Sequence, residues 1–422
     1  MSAEKIKAYI KSRKSDMIEL QKLLTAIPAL APDIGGKGEW QKAEALIAWL
    51  DENLISVAKD KGYNATISVI EVPDQRAERG SRPSVICSID NIDKDNNSSS
   101  FWIMTHLDVV PPGEYSLWET DPFSAVVKDG KIYGRGTEDN QQSLVSSIFA
   151  ALAILELDLE LTCSLKLLFV ADEEFGNEYG IIALLEQHGE LFKEGDVFLV
   201  PDGGLPDSSM IEVAEKSLMW LKFTTRGVQC HASRPDLGKN AFVAGSELVV
   251  RLASLGEIFS TTNELFTPPF STFVPSKKMA NVPNINTVPG EDVFYVDCRI
   301  LPEVDLDEVY SKIESICKEV EKKYGVEINI ETVHRITSLP TPSDGKLVKA
   351  LEEAIGEVYG IRAKPMGIGG GTVAAPLRNK GFEAVVWSTV GEMAHQPNEY
   401  CLIDNMLRDA EVMALLVSRC HR

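Results

Sequence analysis

The sequence predicts an α/β protein, an open sheet with helices, into which a smaller α+β segment is inserted. Short apolar runs typical of buried strands alternate with helical patterns up to residue 215 and again from residue 337. Between these limits the pattern changes to alternating strands and amphipathic helices. The length of 422 residues allows two to three domains at about 150 residues each. We therefore expect one discontinuous domain, 1–215 with 337–422, and an inserted domain, 216–336.

The first predicted strands end at acidic or histidine side chains. A strand over residues 100–106 ends at His106, and Asp108 follows two positions later, on the same face at the period of an extended chain. A hairpin arm through Ile132, entered at the turn Asp129-Gly130, breaks at glycines and delivers Asp139 to the head of an apolar helix over 144–155. These carboxylates are expected to face inward.

Two further strands repeat this design. A strand over 165–171 precedes Asp172, Glu173 and Glu174, and a strand over 197–200 precedes Asp202 and two glycines, where we expect a turn. Ligands of open α/β sheets bind beyond the carboxyl ends of the strands, so these side chains should converge in one crevice.

Such convergence indicates a metal centre. Buried unpaired carboxylates cost several kcal/mol each, and two divalent cations would offset that cost. Imidazole and carboxylate ligands without thiolate suit catalytic zinc, cobalt or manganese. None of the seven cysteines forms a C-x-x-C pair, which argues against a zinc finger or an iron–sulfur cluster and favours free thiols in a reducing compartment.

These motifs resemble those of the zinc-dependent aminoacylase, acetylornithine deacetylase, succinyl-diaminopimelate desuccinylase, glutamate carboxypeptidase and dipeptidase superfamily. The resemblance extends over nearly the whole chain. It is carried by His106-Leu-Asp108-Val-Val-Pro111, Gly134-Arg-Gly-Thr-Glu-Asp139, Asp172-Glu-Glu174 and His395-Gln-Pro-Asn-Glu399. It implies a mixed-sheet di-zinc exopeptidase domain with helices on both faces, and an inserted lid and dimerisation domain.

The resemblance also implies roles for the residues of the metal centre. One metal would be held by His106 and Asp202, the other by Glu174 and His395, and Asp139 would bridge both. Asp108 would orient His106, as carboxylates commonly do for a ligating imidazole. Glu173 resembles the general base of the family.

The inserted segment has the strand and helix order of the ferredoxin-like split βαβ unit: strand 217–225, helix 241–255, a short strand near 271–279, strand 293–301, helix 306–324 and strand 326–332. His231 lies in a sequence that resembles the family's lid motif, in which this histidine stabilises the oxyanion in the partner subunit's site. A homodimer through the lid is therefore expected. Asn286, Arg299, and Gly370, Gly371 and Thr372 resemble contacts of the substrate carboxylate, although a capping asparagine, a surface arginine and a glycine loop explain them nearly as well.

Composition restricts the partners. A formal charge of −21 disfavours nucleic acid, which needs clustered basic residues. No run of about eighteen apolar residues occurs, so no membrane span is expected. The chain opens with an amphipathic pattern instead of a signal peptide, which favours a cytoplasmic location.

The expected reaction is hydrolysis of an amide bond next to a free carboxylate in a small amino-acid derivative. Asp202 stands where the deacylases of the family usually carry glutamate and the dipeptidases aspartate, so the sequence favours a dipeptide or short peptide. An N-acyl amino acid deacylase remains open, as does a catalytically silent relative that binds amino-acid conjugates or acts as a scaffold. Two departures from the family pattern are Asn140-Gln141-Gln142 after Asp139, and Val373 after the glycine loop.

Overall fold

The computed structural model describes residues 3–91 and 99–419, which divide into two compact units. The first comprises Met1–Val213, Thr341–Pro365 and Thr372–Arg422, and the second Ala214–Pro340 and Met366–Gly371. These borders differ from the expected 215/216 and 336/337 by a few residues. They also assign Gly370 and Gly371 to the second unit, although the sequence placed the glycine loop in the first domain.

The described residues form the following strands and helices. The strands are β1 Tyr63–Pro73, β2 Ser81–Asn91, β3 Ser100–His106, β4 Val126–Lys128, β5 Lys131–Tyr133, β6 Ser164–Val170, β7 Val197–Gly204, β8 Met210–Glu215, β9 Ser217–Arg226, β10 Cys230–His231, β11 Thr272–Lys278, β12 Thr287–Val288, β13 Glu291–Ile300, β14 Glu327–Ile336, β15 Lys364–Ile368, β16 Glu383–Ser388 and β17 Tyr400–Leu402. The α-helices are α1 Ala3–Ser12, α2 Lys14–Thr25, α3 Trp40–Leu50, α4 Ser56–Asp60, α5 Gln142–Glu156, α6 Ile181–Gln187, α7 Ala241–Ala253, α8 Leu306–Tyr324, α9 Lys346–Tyr359, α10 Ala374–Asn379 and α11 Ile403–Val417. None of these helices is both long and apolar enough to cross a membrane.

The main sheet is mixed, as predicted, with the strand order β1-β2-β6-β3-β7-β16-β8-β15. Its central strands β6, β3, β7 and β16 are parallel, whereas β1, β2 and β8 pair antiparallel with their neighbours. Trp102 and Met104 of β3 pack in a cluster with side chains of α6 and α10. Phe101 and Ile103 alternate with them and are equally buried on the opposite face, where α5 packs on β3. Helices on both faces are therefore confirmed.

The second unit has the predicted βαββαβ succession. Its four long strands form an antiparallel sheet in the order β11-β13-β9-β14. The Asn240 and Asp305 side chains cap α7 and α8 by accepting backbone N–H groups of the first turn. One face of α8 buries Val309, Ile313 and Val320 at helical spacing. The ferredoxin-like topology is thus confirmed.

The expected glycine turn after Asp202 is wrong. Strand β7 continues through Asp202 to Gly204, which pairs with Ser388 of β16. A Cβ atom on Gly204 would lie 1.8 Å from the Ser388 carbonyl oxygen. The glycine therefore allows close approach of two strands, and not a change of direction.

Candidate metal centre

The parallel strands bring their carboxyl ends to one edge of the main sheet. His106 at the end of β3 pairs with Val170 at the end of β6, and the Leu107 N–H donates to the Val170 carbonyl at 2.8 Å. Glu173 and Glu174 lie shortly after Val170, beyond Ala171 and Asp172, and Asp202 lies near the end of β7, on the other side of β3. The strand register therefore collects these side chains in one place.

Asp139 reaches the same place from the segment between β5 and α5. This segment is held by the buried carboxylate of Glu399, which accepts the backbone N–H groups of Gly136 at 3.1 Å, Glu138 at 2.9 Å and Asp139 at 3.1 Å. Glu399 also pairs with the buried guanidinium of Arg135. Together these contacts fix the backbone on which Asp139 stands.

The two carboxylate oxygens of Asp139 face different imidazoles. Oδ1 lies 3.0 Å from His106 Nε2, and Oδ2 lies 3.2 Å from His395 Nε2. His106 Nε2 also lies 3.4 Å from Asp202 Oδ1, and His395 Nε2 lies 3.0 Å from Glu174 Oε2. Asp139 thus stands between a His106–Asp202 pair and a His395–Glu174 pair.

The donor set fits divalent metal ions. Ligand atoms of His106, Glu173 and Asp202 lie within 4.8 Å of one another, as do those of His106, Asp139 and Glu174. Glu174 Oε1 is buried and accepts no hydrogen bond from the described residues. A buried carboxylate oxygen without a donor is costly unless a cation neutralises it.

Proton affinities in the cluster reflect the excess of negative charge. Burial, together with the negative charges of Asp202 and Glu174, raises the pKa of Glu173 well above its ordinary value. Burial also raises the pKa of Glu174 and of Asp202. Hydrogen bonds to Asp139 and Glu174 raise the pKa of His395 to about 10. The crevice therefore favours positive charge.

Asp108 is buried beside His106. The Nδ1 atom of His106 lies 3.0 Å from the Asp108 carbonyl oxygen and 3.6 Å from its carboxylate Oδ1, so the nearer partner is the backbone. The carboxylate instead accepts the backbone N–H groups of Glu173 and Glu174, each at 3.1 Å. Asp108 thus links the imidazole to the carboxylate pair after β6.

A cavity of about 170 Å³ opens beside Asp139 and Asp202. Its lining also includes the polar side chains of Glu138 and Asn140, small or apolar groups such as Gly203 and Val390, and Glu392, which is exposed.

The remaining expected site residues, apart from Thr372, lie in the second unit. His231 is on the short β10–β12 pair, and its Nδ1 atom lies 3.1 Å from the Ser233 N–H and 2.8 Å from the Ser233 hydroxyl. The Asn286 carbonyl accepts the Ala232 N–H at 2.9 Å, so Asn286 neighbours this histidine and does not cap a helix.

Arg299 and the glycine loop also meet in the second unit. Arg299 pairs with Asp297 at 2.8 Å and donates to the Gly369 carbonyl at 2.9 Å, which places it beside Gly370 and Gly371. Thr372 belongs to the first unit, where its hydroxyl accepts the Ala374 N–H at 3.1 Å.

Three polar residues of the site were missed by sequence reasoning. The carboxylate of Glu138 accepts N–H groups of the segment before His395. The side chain of Asn140 donates to Asp202 at 2.8 Å, and Arg82 pairs with Asp172 at 3.3 Å. All three are buried. For Asn140, the sequence offered one signal, its departure from the family pattern, but that departure did not indicate a role for the side chain.

Comparison with known proteins identifies the family of the chain. Residues 102–419 match the family described as peptidase family M20/M25/M40. The chain belongs to this family. It is 38% identical over 408 residues to an uncharacterized metallohydrolase of Methanocaldococcus jannaschii, covering 94% of this chain and 97% of that one. The chain is thus a metallohydrolase of the M20/M25/M40 family. This membership favours an enzyme over a catalytically silent relative.

A more distant relative and a solved structure of similar fold carry names that describe reactions. A succinyl-diaminopimelate desuccinylase of a Sulfurovum species is 26% identical over 309 residues, covering 73% of this chain and 80% of its own. The crystal structure of human carnosine dipeptidase 1 superposes with a TM-score of 0.67 at 16% identity, covering 100% of this chain and 99% of that chain. At 16% identity, the similarity to the dipeptidase structure shows a shared fold and not a shared substrate.

Proposed function

We propose that this protein hydrolyses the amide bond of a small amino-acid derivative at two divalent metal ions. The proposed metal is zinc, and the proposed substrates are dipeptides or short peptides. The observation that carries the proposal is the placement of the two Asp139 oxygens against His106 and His395. A carboxylate between two ligand pairs is the arrangement that a bridged two-metal site requires. Cobalt and manganese are compatible with the same donors.

The ligand assignment follows the contacts. His106 and Asp202 would hold one ion, Glu174 and His395 would hold the other, and Asp139 would be shared by both. The 3.0–3.4 Å separations between facing ligand atoms support this pairing. Ions bound here supply a water nucleophile at neutral pH and polarise the scissile carbonyl.

Glu173 acts as the general base and acid. Its carboxylate lies within reach of His106 and Asp202, and burial raises its pKa well above the ordinary range. A base with a raised pKa takes a proton from the attacking water and returns it to the leaving amine without a large energetic penalty. The Asp108 carboxylate holds the Glu173 backbone and so aims this side chain.

The preference for a free amine rests on two features. Asp202 is the shorter of the two acidic residues found at this position in the family. The adjoining cavity is small, and Glu392 adds an exposed carboxylate to its lining, which suits an ammonium group better than an anionic acyl chain. The second candidate is an N-acyl amino acid deacylase, which the named desuccinylase relative favours.

The second unit is proposed as the lid and dimerisation domain. Exposed apolar side chains, Phe242 and Val250 on α7 and Val274 on the edge strand β11, supply a surface for a second copy. In that homodimer His231 stabilises the oxyanion in the partner subunit's site, and Asn286 with Arg299 binds the substrate carboxylate together with Gly370, Gly371 and Thr372. A cytoplasmic location remains a prediction.

Amine release by the zinc-loaded protein tests the proposal. The panel contains dipeptides, N-acetyl amino acids and N-succinyl amino acids, each with and without a chelator. We expect chelator-sensitive turnover of dipeptides. Turnover confined to the N-acyl compounds would assign the protein to the deacylases, and activity unaffected by chelator would contradict the metal centre.

A further inference from the structure

Glu138, the residue before Asp139, holds the backbone that leads to His395. Its side chain is 4% exposed, and its two oxygens accept the backbone N–H groups of Gly391 and Met393. One buried carboxylate therefore fixes most of the segment that directly precedes His395.

His395 needs such support. Its backbone has φ 63°, in the left-handed region that residues with a side chain adopt only at a cost. Its imidazole is 56% exposed and touches Asp139 and Glu174. Because little packing holds the ring, its direction depends on the backbone that Glu138 fixes.

Asn140, the residue after Asp139, makes comparable contacts on the other side. It is 2% exposed, and its Nδ2 atom donates to Asp202 Oδ1 at 2.8 Å and to the Pro201 carbonyl at 3.2 Å. Its Oδ1 atom accepts the His106 backbone N–H at 3.2 Å. One amide therefore connects both residues of the other ligand pair.

We propose that Glu138 and Asn140 are positioning residues, each for a different one of the two metal sites. Glu138 supports the Glu174–His395 site, and Asn140 supports the His106–Asp202 site. The inference rests on the ligand assignment of the proposed function. Groups that orient metal ligands typically contribute 10- to 100-fold in metal affinity, and we expect that loss to be confined to one site in each variant.

Site-resolved zinc binding tests this division. Metal-free protein is titrated with Zn²⁺ in competition with a chromophoric chelator. His395→Ala isolates the His106–Asp202 site, and Asp202→Asn isolates the other. In the His395→Ala background, adding Asn140→Ala should weaken the remaining site about 10- to 100-fold, whereas adding Glu138→Ala should leave it unchanged. In the Asp202→Asn background, adding Glu138→Ala should weaken the remaining Glu174–His395 site by the same factor, whereas adding Asn140→Ala should leave it unchanged.

Two further variants serve as controls. Glu138→Gln keeps one acceptor oxygen and should give a weaker form of the Glu138→Ala pattern. Glu411→Gln removes a carboxylate that is also buried, at 7% exposure on α11, and should change neither site. If a substitution destabilises the whole protein, it should weaken the one remaining site in each of the two backgrounds.

The outcomes separate the two proposals. The ligand assignment holds if wild type binds two zinc ions and if His395→Ala and Asp202→Asn each lose one. If Glu138→Ala and Asn140→Ala then weaken the same site, both sites or neither, the positioning roles are overturned, but the proposed function stands. If wild type binds fewer than two ions, or if His395→Ala and Asp202→Asn each retain both, the ligand assignment fails and the inference fails with it.

Discussion

The Asp108 carboxylate accepts the backbone N–H of Glu173 at 3.1 Å, so the residue beside His106 also fixes the proposed general base. Asp108 lies just beyond the end of β3, and Glu173 lies just beyond the end of the parallel neighbour β6. The second carboxylate oxygen binds the Glu174 N–H in the same way. One buried side chain thus sets the spacing between an imidazole, a base and a metal ligand.

Replacing Asp108 by asparagine should lower kcat about 10- to 100-fold and weaken zinc binding by a similar factor, the usual cost of losing a group that orients metal ligands. The amide cannot accept both N–H groups, because its nitrogen is a donor. The loss should stay below that of His106→Ala, since the Asp108 carbonyl remains 3.0 Å from His106 Nδ1. Steady-state kinetics and zinc content measure both effects, with the exposed Asp60→Asn as control.

Glu173→Gln should lower kcat about 10²- to 10⁴-fold, the range for loss of a general base, with zinc content unchanged. The exposed Glu178→Gln in the same loop is the matched control and should leave both quantities at wild-type values. Ligand atoms of Glu173 lie close to those of His106 and Asp202, so the zinc content is decisive. Loss of one zinc ion in Glu173→Gln would make this residue a ligand.

Mixing His231→Ala with Glu173→Gln subunits should restore activity. Random exchange makes half of the dimers mixed, and each mixed dimer has one site with both groups intact, so activity should reach about a quarter of wild type. Each variant alone should stay far lower. Sedimentation of the mixture shows whether mixed dimers form. Mixed dimers without recovery would contradict the role of His231 in the partner's site, and a monomeric wild type would contradict dimerisation.

Local patterns in the sequence predicted the elements that depend on local interactions. Strand β3 is buried at every position, and its continuous apolar run predicted it over the observed residues. Helix α8 likewise occupies its predicted range of 306–324, because its apolar spacing and the Asp305 cap are both local signals. The convergence of His106, Glu173 and Asp202 followed from the rule for strand ends. His395 was predicted through the family resemblance.

Features that depend on contacts between distant parts of the chain could not be predicted from the sequence. The glycines after Asp202 suggested a turn, but the need for glycine arises from Ser388 on a neighbouring strand. Glu138 binds the Met393 N–H from 255 residues away, and no local pattern reports which backbone donors a buried carboxylate will find. For the same reason Asn140 was recognised only as a departure from the family pattern.

Asp409 provides a test of stability that is separate from the metal ligands. It is fully buried on α11 and accepts hydrogen bonds from the Thr389 N–H at 2.9 Å, the Tyr359 hydroxyl at 2.7 Å and the Gln142 amide at 3.2 Å. Burial outweighs these donors and raises the pKa of Asp409 to about 6. In the unfolded chain an aspartate titrates near pH ~4.

The sign of the effect follows from proton binding. Below pH ~4 the carboxyl is protonated in both states, whereas between about 4 and 6 the folded state keeps a proton that the unfolded state has lost. The contribution of Asp409 to the free energy of unfolding therefore falls by about 3 kcal/mol as pH rises through that window, and is constant above it. Asp409→Asn cannot titrate, so the difference in unfolding free energy, wild type minus variant, should fall by the same amount. Urea unfolding of metal-free protein at a series of pH values measures this difference. A flat difference for Asp409→Asn would show that hydrogen bonding keeps this carboxylate ionised.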